Sequence, residues 1–390
     1  VSAAGAERRV RVEPASSEPY EVRIGAGVAP SFARELPALL GSPPGRLLAV
    51  IDAGPPGAWA DRTLAPYADA GYAVGRVTIT PSEKAKSLET LGVILGAIAS
   101  ARLERRDPVL AIGGGVVGDL AGFAAASYRR GVPVVQIPTT LLSMVDASVG
   151  GKTGVNLTLP TGELLKNMAG AFHQPRVVLA DPDALKSLPE REFRAGLAEC
   201  VKHGLIGADW GDPDLFAWMV GATGAILARD PDALVECVAR NVAVKARVVG
   251  GDERELRDDG GRALLNLGHT FAHAIETLDH LAPAGESPPL LHGEAVGLGL
   301  VAASACAASL GLCPAGVPDA VRAAVGACGL PARLTGLPEN GVLCARMRHD
   351  KKTAGGRLRL ILPTELGRAR VVSDPPINAV EAGWDAIRAG

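Results

Sequence analysis

Along the first 180 positions, apolar residues come in short runs of strand length, at 47–51, 73–79, 109–112, 132–137 and 177–180, several of them rich in valine and isoleucine. Between these runs, 88–101 and 120–128 carry apolar residues at helical spacing. Such alternation predicts a parallel sheet wrapped by helices. After Pro189 the period becomes helical almost throughout, over 190–206, 213–228, 231–249, 266–278, 294–310 and 318–327. Pro288, Pro289 and Pro314 break this series, and one late strand signal stands at 358–362. The fold class expected is an α/β N-terminal domain with a parallel, Rossmann-like sheet, plus a mostly α-helical C-terminal domain. The boundary falls near Leu188, giving domains over 20–187 and 188–390. Residues 1–19 are polar, lack the apolar stretch of a signal peptide and read as a loose arm.

Composition narrows the function classes. Hydrophobic residues make up 47% and charged residues 21%, the balance of a globular chain. A formal net charge of −2 argues against a nucleic-acid partner, and no apolar run is long enough to span a bilayer. Six scattered cysteines without a C-x-x-C pair read as buried thiols of a cytoplasmic protein. Only nine of the 40 basic residues are lysine, so each lysine invites the question of whether a compact ammonium is needed there.

Three groups of residues carry candidate chemistry. Gly113, Gly115 and Gly118 satisfy G-x-G-x-x-G between a predicted strand and a predicted helix, the context in which a backbone approaches a dinucleotide diphosphate. A tight turn requiring positive φ is the competing reading. The acidic residue usual about 20 positions downstream is absent, although Asp52 ends an earlier strand and could hold a ribose. Second, His269 and His273 share a helix face, His292 opens a His-Gly-Glu run, and Glu199 lies on another helix. Imidazoles plus a carboxylate suit zinc, but spacing leaves open which of His269 and His273 is the ligand. Third, Lys152, Lys166 with Asn167, Lys202, Lys245, Arg262 and the pair Lys351 and Lys352 are interspersed among these motifs. Together they suit a substrate bearing phosphate and carboxylate.

The motifs Gly113–Asp119, Pro138–Asp146, Gly150–Gly154, Leu265–His273 and Leu291–Val296, in that order, resemble the 3-dehydroquinate synthase family within the sugar-phosphate cyclases, over residues 20–372. The resemblance implies a homodimer whose subunits each join an NAD-binding domain to a helical metal-binding one. It implies zinc, with cobalt as an alternative, on Glu199, His269 and His292, with His273 turned to substrate. It assigns NAD contacts to Asp52, Glu83, Lys86, Gly114, Gly115, Val116, Asp119, Thr139 and Thr140. Substrate contacts fall to Asp146, Lys152, Lys166, Asn167, Lys202, Lys245, Arg262, Asn266 and one of Lys351 and Lys352. Arg130 matches a phosphate contact that reaches across the dimer. Segments 157–165, 256–260 and 283–289 look longer than the family pattern and flank the expected substrate site.

The reaction so implied converts 3-deoxy-arabino-heptulosonate 7-phosphate to 3-dehydroquinate and phosphate, in aromatic amino-acid biosynthesis. A hydride passes to NAD, phosphate leaves by β-elimination, the hydride returns, and an aldol step closes the ring, with no net redox change. Competing readings are a secondary-metabolism cyclase of the aminodehydroquinate or valiolone type, a glycerol-dehydrogenase-like oxidoreductase, and a non-catalytic NAD-binding scaffold.

Overall fold

The computed structural model describes residues 7–54, 57–162, 164–257, 260–350 and 357–389. Within them the chain forms two compact units, one running to Pro189 and including Pro231–Gly250, the other made of Glu190–Asp230 and the chain from Gly251 onward. The long helix Pro231–Gly251, expected with the C-terminal domain, therefore belongs to the first unit over nearly all its length. Its valines 235, 238, 242 and 249 are buried. A linear reading sees their helical period but not the return of the chain.

The first unit is built on a seven-stranded sheet, in the spatial order Arg8–Val12, Tyr20–Ile24, Val177–Ala180, Val134–Pro138, Val109–Gly113, Arg46–Asp52 and Ala73–Ile79. Arg8–Val12 pairs antiparallel with Tyr20–Ile24, and every other pairing is parallel. Every residue of Val109–Gly113 and Val134–Pro138 is buried, as central parallel strands covered on both faces require. Helix Leu88–Ser100 starts at Ser87, whose hydroxyl accepts the Thr90 N–H, and buries Leu91, Ile94 and Ile98 against the sheet core. The expected loose arm is corrected over Arg8–Val12. That segment is an edge strand, with Val12 buried and Arg8, Arg9 and Arg11 exposed along an edge that their charges protect. A two-stranded hairpin, Lys152–Thr158 with Leu164–Phe172, was also not expected.

Strand Arg46–Asp52 has the next strand in the chain, Ala73–Ile79, on one side and the glycine-loop strand Val109–Gly113 on the other. The order of the sheet thus reverses between two strands whose carboxyl ends carry Asp52 and Gly113. In open α/β sheets, ligands bind at such a reversal.

The second unit is helical around His292–Ser309, which is buried along most of its length. Small residues let neighbouring backbone approach this helix. A Cβ at Gly293 would lie 1.9 Å from the Ala195 carbonyl oxygen, and one at Gly299 would lie 2.2 Å from that of Gly268. These contacts draw helices Glu190–Gly204 and His269–Glu276 against the central one. Strands Arg359–Glu365 and Arg368–Ser373 form a short hairpin in the same unit.

Candidate active site

In the second unit, three helices bring one ligand atom each from Glu199, His269 and His292 to within 4.8 Å of one another. His269 opens its helix directly after Gly268, whose left-handed backbone (φ 79°) turns the chain where a side chain would strike Leu300. His292 opens the central helix, at the end packed on Ala195. The Nε2 atoms of His269 and His292 lie 3.6 and 3.4 Å from Oε1 of Glu199. Donors bound at zinc distances to one tetrahedral ion stand ~3.3 Å apart, so the spacing fits a shared divalent cation.

The orientation of the rings supports the same fit. Nδ1 of His269 faces the Leu267 carbonyl at 3.2 Å, and Nδ1 of His292 faces the Glu276 carboxylate at 3.5 Å. Partners of this kind commonly fix the tautomer of a metal-binding imidazole. Burial holds His269 down to about 3, so its ring is neutral and its Nε2 lone pair looks at a carboxylate oxygen. Two acceptors face to face call for a cation between them. For His292 burial lowers the pKa, but the Glu199 and Glu276 carboxylates outweigh it and raise the ring to about 10. Lys202 reaches Oε2 of the same Glu199, both side chains being fully buried. His273 is exposed, with its ring edge-on to His269 at 5.6 Å.

Arg191 grips Glu294 through two bonds, Nε to Oε1 at 2.7 Å and Nη2 to Oε2 at 2.9 Å, and also donates to the carbonyls of Ser287 and Pro289. Segment 283–289 is thereby tied to the turn of helix that bears His292. Arg262 is buried and donates to the Glu253 carbonyl, while Asn266 donates to Glu255. Lys351 and Lys352 lie outside the described residues.

In the first unit, the four loop glycines are needed for space, since none of Gly113, Gly114, Gly115 and Gly118 has positive φ. A Cβ at Gly113 would strike Val117 at 2.7 Å, one at Gly118 would meet Gln136 at 2.9 Å, and one at Gly114 would press on Thr140 at 3.2 Å. The positive-φ turn is thus corrected to close packing of helix Gly115–Ser127 on the sheet. Asp52 accepts N–H groups from Gly54 and Gly114, and burial raises its carboxyl above the ordinary range. Val116 sits in the first turn of that helix, Thr139 donates its N–H to Gly113, and Thr140 Oγ1 accepts from Ser143.

Beyond the loop, Lys86 donates to Asp119 at 2.5 Å and to the Asn167 side chain. Burial raises the Asp119 carboxyl, against the pull of the Lys86 ammonium. Asp146 lies in a π-helical turn, Ser143–Ala147, and receives Lys245 on both its carboxylate and its carbonyl. Lys152 is exposed and Lys166 half-buried, on the two strands of the hairpin, while Arg130 is exposed with left-handed backbone (φ 68°). Glu83 accepts 2.6 and 3.1 Å bonds from Asn156 on its carboxylate and carbonyl.

Family comparison adds to this geometry. The model of the 3-dehydroquinate synthase N-terminal region matches residues 76–195, and that of the C-terminal region matches 196–353. The chain belongs to the 3-dehydroquinate synthase family. It is 46% identical over 369 residues to a 3-dehydroquinate synthase of Caulobacter vibrioides, covering 93% of this chain and 94% of the relative. Among solved structures it resembles a 2-epi-5-epi-valiolone synthase from Streptomyces hygroscopicus with NAD+ and Zn2+ bound (TM-score 0.81, 30% identity, 97% and 99% of the two chains). A 2-deoxy-scyllo-inosose synthase shares the fold at TM-score 0.78 and 22% identity, over 97% and 100% of the two chains. The sugar-phosphate cyclase architecture expected from the motifs is the one observed.

Two residues of evident importance escaped the sequence reading. Glu276 lies seven positions after His269, two turns along the same helix face, so its spacing was a usable signal. Asn156 is a buried polar residue in a strand, with nothing in the local pattern to mark it.

Proposed function

We propose that this protein converts 3-deoxy-arabino-heptulosonate 7-phosphate to 3-dehydroquinate and phosphate, using NAD and a divalent metal. The observation that carries the reading is the Glu199, His269 and His292 cluster, which fits a divalent ion, in a chain of this family. When bound, the ion supplies Lewis acidity toward substrate hydroxyls, and NAD supplies a reversible hydride acceptor.

The chain's own residues do the rest. Glu199, His269 and His292 hold the ion, with zinc the metal favoured by the donor set. Asp52, the loop from Gly114 to Val116, Asp119, Thr139 and Thr140 receive NAD, with Glu83 and Lys86 beside it. Lys152, Lys166 and, from a second subunit, Arg130 neutralise the phosphate as it leaves, and Asn167 donates a hydrogen bond to it. Lys202, Asn266 and His273 orient the polyol near the metal, and Arg262 meets the substrate carboxylate with a planar fork.

The size of the carboxylate contribution provides the test. A substrate without that group gives up charge-assisted bonds to the buried Arg262 guanidinium, costing on the order of 2–5 kcal/mol of transition-state binding. The acidic heptulosonate phosphate should therefore exceed neutral sedoheptulose 7-phosphate by at least ~30-fold in kcat/KM. Arg262→Lys should erode that ratio and leave metal content unchanged. Equal kcat/KM for the two substrates would favour the valiolone-type reading instead. A glycerol-dehydrogenase-like reaction is disfavoured, because a small neutral alcohol needs no such set of cations.

A further inference from the structure

We infer that Asn156 is a positioning residue that couples cofactor binding to phosphate binding, by tying the Glu83–Lys86 segment to the hairpin strand that carries Lys166 and Asn167. The inference rests on the assignment above of Glu83 and Lys86 to NAD and of Lys166 and Asn167 to the phosphate.

Asn156 is buried where the hairpin ladder slips between Val155 and Leu157. A slip of this kind releases backbone groups from the ladder. The Asn156 N–H uses that freedom to donate to the Lys86 carbonyl at 2.8 Å. Its side-chain amide donates to the Glu83 carboxylate and carbonyl at 2.6 and 3.1 Å. Its side-chain oxygen accepts the Asn167 N–H at 2.8 Å. Asn167 has left-handed backbone (φ 57°), which a non-glycine residue keeps only when its surroundings hold it there. The held Asn167 then presents its own oxygen to Lys86. One amide therefore fixes an expected cofactor segment and an expected phosphate segment relative to each other. Whichever ligand orders one of them lowers the cost of ordering the other, and the effect is reciprocal.

The test uses the full-length, zinc-loaded protein and calorimetric titration of NAD, without and with saturating inorganic phosphate. Phosphate should tighten NAD by at least ~5-fold in the unsubstituted protein. Asn156→Asp keeps the acceptor for Asn167 but sets a carboxylate against Glu83, and should reduce the factor to less than ~2-fold. Combining it with Glu83→Gln restores a donor–acceptor pair and should recover most of the coupling, a rescue that general loosening of the fold cannot produce. Glu83→Gln alone completes the cycle and removes its direct effect on NAD. Without any substitution, NAD alone should slow amide exchange in Leu164–Phe172. An unchanged factor in Asn156→Asp, or no exchange response in that strand, overturns the inference. Binding of both ligands with no mutual effect overturns it too and leaves the proposed function standing. Binding of neither ligand overturns the proposed function, and the inference with it.

Discussion

Near the glycine loop, half-buried carboxylates are met by buried lysine ammonium groups, Asp119 by Lys86 and Asp146 by Lys245. In the helical unit, Glu199 is met by Lys202 but also faces the Nε2 atoms of two histidines, one of them a neutral ring with its lone pair directed at the carboxylate. The first arrangement closes its charge balance with polypeptide alone. The second leaves the neutral His269 ring facing a carboxylate oxygen, two acceptors that a cation between them would satisfy. The two regions thus differ, one joining carboxylates to lysine ammonium groups and the other setting imidazole and carboxylate acceptors at the spacing of ligands to a shared ion.

The sharpest way to break that comparison is His292→Ala. An incomplete ligand set cannot hold zinc tightly, so bound metal should fall well below one per chain and activity by at least ~1,000-fold, while NAD still binds. Metal retained at full stoichiometry, measured by elemental analysis, would remove His292 from the site. On the other side, Lys86→Met leaves the half-buried Asp119 beside an apolar chain. Unfolding in denaturant should show a loss of about 2–3 kcal/mol, with metal content unchanged. A loss below ~1 kcal/mol would mean that solvent, and not Lys86, balances Asp119.

Much of this arrangement was legible in the sequence, and the reasons differ by element. The helix Glu190–Gly204 and the strand Ala73–Ile79 follow the expected ranges closely because each buries one regular face or run. The Lys152–Thr158 and Leu164–Phe172 hairpin was not legible, since its strands are half-exposed and carry glycine, asparagine and lysine where β-branched residues would mark a strand. Three arginines likewise hid the edge strand Arg8–Val12. Spacing alone could not choose between His269 and His273. In three dimensions His269 lies 3.6 Å from Glu199 and its outer nitrogen meets the Leu267 carbonyl, while His273 is exposed.

Smaller effects sharpen the contrast. Glu276→Gln keeps the shape but weakens the grip on His292, and should lower zinc affinity by about 10–100-fold in chelator competition. Unchanged affinity would mean that the helix alone orients the ring. Asp181 provides a control within the first unit, because backbone N–H groups of Gly27, Ala29 and Asp183 hold its carboxylate, and burial raises its pKa to about 6. A carboxyl raised on folding contributes stability that is full below its unfolded pKa and is lost as pH rises through the folded one. Between pH 4 and 6, the unsubstituted protein should therefore lose on the order of 1–2 kcal/mol that Asp181→Asn does not lose. Parallel pH profiles from thermal or denaturant unfolding would show that this carboxyl does not titrate in that window.

The proposed function requires a cation on Glu199, His269 and His292 and NAD at the glycine loop to serve one cyclase reaction without net redox. Its most direct test is phosphate release from 3-deoxy-arabino-heptulosonate 7-phosphate by the zinc-loaded protein, with NAD at roughly a tenth of the substrate concentration and absorbance followed for NADH. The account predicts complete release of phosphate, many turnovers per NAD, and no accumulation of NADH. Phosphate release that stops at the amount of NAD supplied, or NADH rising in step with substrate consumed, would contradict it.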